Sequence, residues 1–148
     1  DVYAASRGLR TLGVRLKQHE QNALQVAQWL AQRPEVETVR HPAFADHPGH
    51  QQFKRDFSGS NGLFSFVLKQ GSQQQVAAFI EGMQHFKMGF SWGGYESLIT
   101  ATFNVQALRR ASHWPYSGPL IRLHIGLEDP EDLVADLAAA FTRFHAAG

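Results

Sequence analysis

Apolar residues return every three or four positions through residues 1–33. Leu9, Leu12, Leu16, Ala23, Ala27 and Leu30 share one face, while Arg10, Arg15, Lys17 and Gln18 fall mostly elsewhere. This spacing predicts one long amphipathic helix. Asp1 can cap it, Gly8 weakens it locally and marks a place to bend, and Pro34 ends it. The pattern then changes. Val36–Arg40 reads as a short strand closed by His41-Pro42, and the Pro- and Gly-containing stretch to Gly49 reads as loop. His50 to Phe57 reads as a short helix, followed by a turn at Gly59-Ser60-Asn61-Gly62. Leu63–Leu68 (LFSFVL) has little polar alternation, the pattern of a strand covered on both faces.

Ser72 is placed to cap a helix that buries Val76, Phe79, Ile80 and Met83. Phe86-Lys87-Met88 reads as a brief strand, GFSWGG (Gly89–Gly94) as a glycine loop, Pro115–Pro119 as irregular chain, and LIRLHI (Leu120–Ile125) as an alternating strand. Asp129-Pro130-Glu131-Asp132 gives the plainest local signal. A cap, a proline at the first helical position and negative charge at the positive helix end all coincide. The helix they open continues through Leu133, Leu137, Phe141 and Phe144.

The order is therefore α, β, β, α, β, β, α with short extra helices, an α+β fold. We expect a small, mostly antiparallel four-stranded sheet with helices packed on one face, preceded by the long N-terminal helix. Residues 1–33 form that joining helix and residues 34–148 the α+β domain. The helix is longer than so small a sheet needs, which implies a second partner for it outside this chain.

Composition narrows the class. A chain of 148 residues with 43% hydrophobic and 18% charged residues suits one globular domain, and 11 phenylalanines point to a Phe-rich core. The net charge of +1, with scattered lysines and arginines, gives no nucleic-acid footprint. The absence of cysteine excludes disulfides, thiolate zinc sites and a cysteine nucleophile, and fits an intracellular location. No apolar run approaches the ~18 residues of a membrane helix. The chain opens on Asp1-Val2-Tyr3 with neither an initiator methionine nor a signal-peptide pattern, as a processed product or a piece of a longer protein would.

Two places can carry chemistry. Arg122 sits mid-strand among Leu120, Ile121, Leu123 and Ile125, where an arginine needs a partner. Its fork suits a ligand carboxylate; an outward-facing sheet arginine or an internal salt bridge would fit the same pattern. The loop Ser91-Trp92-Gly93-Gly94-Tyr95-Glu96-Ser97 allows close backbone approach to a ligand and can turn free N–H groups toward an anion; a tight turn with an aromatic anchor is the plainer reading. The histidines, including His41, His47, His50, His85, His113 and His124, lack metal-binding spacing. No phosphate-binding glycine motif is present. Phe64, Phe66, Phe79 and Phe86 lie among aliphatic residues as core, not as a base-stacking platform.

Longer stretches carry a resemblance. RGLRTLGVRL (Arg7–Leu16) with NALQVAQWL (Asn22–Leu30) resembles the helix joining the two domains of the pyridoxal-phosphate (PLP) enzymes of Cys/Met metabolism. VRHP (Val39–Pro42), GLFSFVLK, SWGGYESLI and LIRLHIGLEDPEDLVADL resemble the later signatures of that family, in order and over nearly the whole chain. SWGG, and Phe90 in front of it, are similar to the bacterial carbon–sulfur β-lyases of the family rather than its γ-type enzymes; Ala101–Pro119 departs from the family pattern.

The resemblance implies the C-terminal small domain of an aminotransferase-like fold type I enzyme. It implies that Arg122 clamps a substrate α-carboxylate, with the Ser91 hydroxyl and the Trp92 backbone N–H completing the anchor. Tyr95 and Glu96 would support the loop, and Phe90 would bear on specificity. The implied reaction cleaves cystathionine to homocysteine, pyruvate and ammonia, in methionine biosynthesis. A relative among the γ-synthases, γ-lyases or methionine γ-lyases is the alternative. So is a non-catalytic amino-acid-binding module, since the β-α-β and β-α order from Leu63 also resembles ferredoxin-like sensing domains. PLP would be bound by a lysine of a preceding large domain. Lys17, Lys54, Lys69 and Lys87, the only lysines here, do not match the family's lysine motif. The chain alone is therefore expected to be inactive, with no catalytic residue and no metal of its own. The implied partners are the large domain and a homo-oligomer, a tetramer, in the cytoplasm, with neither nucleic acid nor membrane. An apolar patch is expected on the first helix and around Arg122.

Overall fold

The apolar stripe of the first segment is divided at Thr11. The computed structural model describes residues 1–108 and 113–148, and in place of one long helix it has two, α1 (Val2–Arg10) and α2 (Leu12–Ala31). The break lies at Thr11 (φ −106°, ψ 3°), three residues beyond Gly8. There the Thr11 N–H and hydroxyl both donate to the Gly8 carbonyl, each at 3.2 Å, and Arg15 Nη2 donates to it at 2.7 Å. A threonine hydroxyl that bonds nearby backbone offers the chain an alternative to the helix ladder. Only the second half of α2 enters the core: Ala23, Val26, Ala27 and Leu30 are fully buried, whereas α1 buries nothing. Val2, Tyr3, Leu9 and Val14 stand exposed, so the apolar stripe of the N-terminal segment lies uncovered.

The sheet has five strands, one more than the sequence pattern suggests. In addition to β1 (Val36–Arg40), β2 (Leu63–Leu68), β3 (Lys87–Met88) and β5 (Leu120–His124) there is β4 (Leu98–Thr102). The order is β1-β2-β5-β4-β3, antiparallel throughout except that β3 and β4 run parallel. The segment LITAT has no strong apolar run to announce it; pairing on both sides makes it a strand. The sheet is thus mixed, although three of its four pairings are antiparallel. This order differs from the ferredoxin-like arrangement.

Strand alternation sends Phe64, Phe66 and Leu68, with Ile99, Ile121, Leu123 and Ile125, toward one face. There they meet α2, α4 (Gln73–Glu81) and α6 (Pro130–Ala146). Phe79 of α4 is the hub of a phenylalanine cluster, making edge-to-face contacts with Phe66, Phe141 and Phe144. Both helix starts form as expected. Ser72 and Gln75 make a reciprocal capping box at α4, and Asp129 accepts from the Glu131 N–H at 2.9 Å at α6. Asp136, buried on α6, accepts the backbone N–H groups of Gln84, His85 and Phe86 and so ties α6 to the turn before β3. The second face of LFSFVL is covered at Val67, which packs with Val105, Trp114, Tyr116 and Leu120. Two further short helices, α3 (His50–Asp56) and α5 (Val105–Leu108), lie in the connections. Part of the Ala101–Pro119 stretch, residues 109–112, lies outside the described residues.

Candidate functional site

With Ile121, Leu123 and Ile125 committed to the helices, alternation turns Arg122 and His124 to the opposite face of the central strand. Arg122 stands between Ser65 of β2 and Thr100 of β4 in the cross-strand register. Both neighbours are small, leaving room for a guanidinium to cross the sheet surface. Its Nη2 donates to the Phe90 carbonyl at 2.8 Å and to the Gly89 carbonyl at 3.3 Å, while Nε is buried without a partner. Among the described residues no carboxylate pairs with it. The internal salt bridge, one plain explanation for a mid-strand arginine, is therefore not formed.

The loop from Gly89 to Ser97 arches beside this arginine. Gly93 has φ +84°, a left-handed conformation that glycine adopts without strain. Ser91, Trp92, Tyr95 and Glu96 are exposed, as is Phe90. The structure joins the loop to Arg122 through the carbonyls of Gly89 and Phe90. No side-chain hydrogen bond within the described residues engages Ser91, Tyr95 or Glu96.

What holds the loop are residues that the sequence pattern did not single out. His124, buried, donates from Nε2 to the Gly94 carbonyl at 2.9 Å, and the Gly93 N–H lies against its ring. Burial pushes the pKa of His124 down; the Gly94 carbonyl opposes this and the neighbouring His19 adds to it, so the ring is neutral at ordinary pH. His19, from α2, lies with its ring centroid 5.3 Å from that of His124 and bonds the Ile125 carbonyl through Nδ1 at 2.7 Å. At the far end of the loop Glu128 accepts from the Ser97 N–H at 2.7 Å and hydroxyl at 2.8 Å, and Ser97 Oγ accepts from the Gly126 N–H. Asn22 of α2 donates to the carbonyls of Gly126 and Glu128. One signal for His124 was readable: it follows Arg122 by two residues in a strand, hence on the same face. Nothing local marks Ser97, Asn22 or Glu128.

A small cavity of about 60 Å³ opens between α2 and the loop, lined by Leu16, His19, Trp92, Gly93 and His124 among others. A wider groove of about 510 Å³ runs between α4 and β4, past Met88, Phe90 and Phe103. Phe90 (85% exposed), Trp92 (59%) and Tyr95 (71%) are the exposed aromatic side chains of the loop.

Comparison with known proteins decides the family. Residues 1–142 match the model of the Cys/Met metabolism PLP-dependent enzymes. This chain belongs to that family. It is 54% identical over 145 residues to the cystathionine beta-lyase MetC of Escherichia coli, covering 96% of this chain and 37% of that protein. It is 51% identical, over the same spans, to the cystathionine beta-lyase of Salmonella typhimurium. Among solved structures it is similar to a cystathionine gamma synthase from Xanthomonas oryzae pv. oryzae in complex with cystathionine. There the TM-score is 0.81 at 37% identity, covering 96% of this chain and 38% of that one. The chain thus spans little more than a third of the length of the relatives it matches. The α+β fold belongs with the fold type I enzymes, as the resemblance of the motifs implied.

All four lysines, Lys17, Lys54, Lys69 and Lys87, are exposed, and Lys87 Nζ bonds the Gln84 carbonyl. None of them accompanies Arg122 on β5. Arg122 and the N–H groups of the glycine loop offer positive charge and donors, which suit an anion.

Proposed function

We propose that this chain is the carboxylate-anchoring C-terminal part of a PLP-dependent carbon–sulfur lyase acting on cystathionine by β-cleavage. Residues 1–33 join it to a large domain that binds PLP, and residues 34–148 are the small domain. The supporting observation is the guanidinium of Arg122, fixed on the central strand by two backbone carbonyls and left without a carboxylate of the chain's own. A substrate α-carboxylate would complete it as a bidentate, charge-assisted pair. The Ser91 hydroxyl and Trp92 N–H, on the exposed loop beside it, would add donors.

Such an anchor has a chemical consequence. Fixing the carboxylate at one end of an amino acid orients the bonds at Cα, and orientation alone can contribute several kcal/mol of barrier lowering. PLP, when bound by the large domain, supplies the electron sink. This chain's residues would hold the substrate by its carboxylate. The uncovered stripe on α1 and early α2 suits burial against the large domain or a sister subunit in a homotetramer.

The test is the full-length enzyme with cystathionine, read by its keto-acid product. Pyruvate with homocysteine and ammonia supports β-cleavage. A 2-oxobutyrate product would move the enzyme to the γ-type branch. Binding of amino acids without turnover would favour the sensing-module reading.

A further inference from the structure

We propose that His124 is a positioning residue for the substrate anchor: with Arg122 it holds the glycine loop at its start and at its turn and fixes where the Ser91 hydroxyl and the Trp92 N–H stand. This inference rests on the reading of Arg122 as the carboxylate anchor.

The geometry is that of two side chains from one strand. Arg122 and His124 are two residues apart on β5 and so project from the same face. Arg122 reaches the carbonyls of Gly89 and Phe90, at the start of the loop. His124 reaches the carbonyl of Gly94 and the N–H of Gly93, at its turn. Ser91 and Trp92 lie between the two held points. Both are exposed, and neither side chain makes a hydrogen bond within the described residues. Their position is inherited from the pair of residues on β5.

The bonds around His124 define its form. The Gly94 carbonyl can only accept, so Nε2 carries the proton of the neutral ring. The Gly93 nitrogen is 3.2 Å from Nε2 and 3.4 Å from Nδ1. Near-equal distances to both ring nitrogens place that N–H over the ring face, where a neutral imidazole receives it and a charged one repels it. His19 backs the ring at 5.3 Å from α2, and its Nδ1 donates to the Ile125 carbonyl, the next backbone group of the same chain segment. On the remaining side lies Gly62, where a Cβ would run into the Ile125 carbonyl oxygen and press on Cε1 and Nδ1 of His124 at 3.0 Å. The ring is therefore boxed in from α2, from the turn before β2 and from the loop it holds. A side chain confined this way, with its one donor spent on the loop, acts on ligand binding only through that loop.

The experiment uses the full-length enzyme and two variants. His124→Phe keeps a ring of similar shape and removes the donor; His124→Gln returns an amide donor at similar reach. For His124→Phe we expect KM for cystathionine to rise by about tenfold with kcat changed by less than about twofold, since loss of one hydrogen bond from a ground-state anchor acts on binding. Faster amide hydrogen exchange is expected across residues 91–97, without change in the amides of β5. His124→Gln should recover KM to within about threefold of the parent and restore slow exchange, a rescue that a packing role would not give. The inference is overturned if His124→Phe leaves both exchange and KM at parent values, or if His124→Gln is as impaired as His124→Phe. Exchange needs no substrate, so the two readings separate. Faster loop exchange with no KM effect in either His124→Phe or Arg122→Leu keeps the clamp and removes the carboxylate anchor, which overturns the inference as stated. A large KM effect in Arg122→Leu with none in His124→Phe keeps the anchor and overturns the positioning role.

Discussion

Replacing Arg122 by leucine separates the anchoring role from a structural one. The side chain gives two bonds to the chain itself, to the Phe90 carbonyl at 2.8 Å and to the Gly89 carbonyl at 3.3 Å. Both carbonyls belong to a loop whose residue Phe90 is exposed, so water can replace the lost donors, and no carboxylate of the described residues is left unpaired. The cost to stability is therefore about 1–2 kcal/mol, that of two exchanged hydrogen bonds, one of them long. A bound carboxylate loses far more. Truncating one partner of a desolvated, hydrogen-bonded charge pair costs about 2–5 kcal/mol. Taking about 3–4 kcal/mol, kcat/KM falls by roughly 10²–10³. Arg122→Lys keeps the charge and loses the planar fork, so it recovers only part of this. The assay is pyruvate release from cystathionine by the full-length enzyme, beside thermal unfolding of the same variants. Activity of Arg122→Leu within about threefold of the parent would refute the anchor. So would a loss of several kcal/mol of stability, which would make the arginine a structural part.

Three further outcomes follow from the packing. Asp136→Asn removes the charge that accepts three backbone N–H groups at residues 84–86, and should cost about 2–3 kcal/mol in denaturant unfolding; a shift under 0.5 kcal/mol would contradict the clamp. Phe79→Ala opens the hub of the phenylalanine cluster and should cost about 3–5 kcal/mol, read from the same midpoints. His41 and His124 are both buried with pKa values pushed below the ordinary 6.5, in each case chiefly by burial. Below pH 6.5 the unfolded chain binds more protons at these sites than the folded one. Stability is therefore full above that pH and lost as pH falls toward the folded values, by at most about 1.4 kcal/mol per pH unit for each histidine. A melting temperature that stays level from pH 7.5 to 5 would refute this. Glu35 adds a separate loss below pH 4.5: burial alone would raise its pKa, but the bonds from Arg33 and His145 outweigh burial and lower it.

Much of this was legible in the sequence, for reasons that differ between elements. The helices at Ser72 and Asp129 were readable because their stop and start signals are local: a cap oxygen, a proline and a charge within four residues. The strand LIRLHI was readable because alternation and burial agree. The strand LITAT was not, because its strand state comes from neighbours on both sides that are distant in sequence. The break at Thr11 was misplaced to Gly8 because propensity ranks glycine as the weak point, whereas the hydroxyl of Thr11 and the head of Arg15 converge on one carbonyl. Arg122 could be suspected from its apolar flanks alone. The residues that hold its loop could not, since Asn22 meets Gly126 across 104 positions and Ser97 meets Glu128 across 31.

The design that emerges ties the site to the core through a single strand. On β5, Ile121 and Leu123, with Ile125 just beyond its end, are fully buried under the helices, and Arg122 and His124 alternate with them. β5 is paired on both sides, so its backbone is among the least free in the chain. The loop that would touch a ligand has the opposite character: exposed, glycine-rich and without internal contacts that define it. Rigidity has to be passed from the one to the other, and the only side chains of β5 that reach the loop are those two. Gly93 is needed for the left-handed turn (φ +84°) that presents the loop to His124, and the small neighbours Ser65 and Thr100 leave the arginine room to reach across the sheet. A bulky side chain at either neighbour would leave the fold intact and misplace the guanidinium. The open face of this sheet is for that reason read as a site, and its helix-covered face as the structure that holds it still.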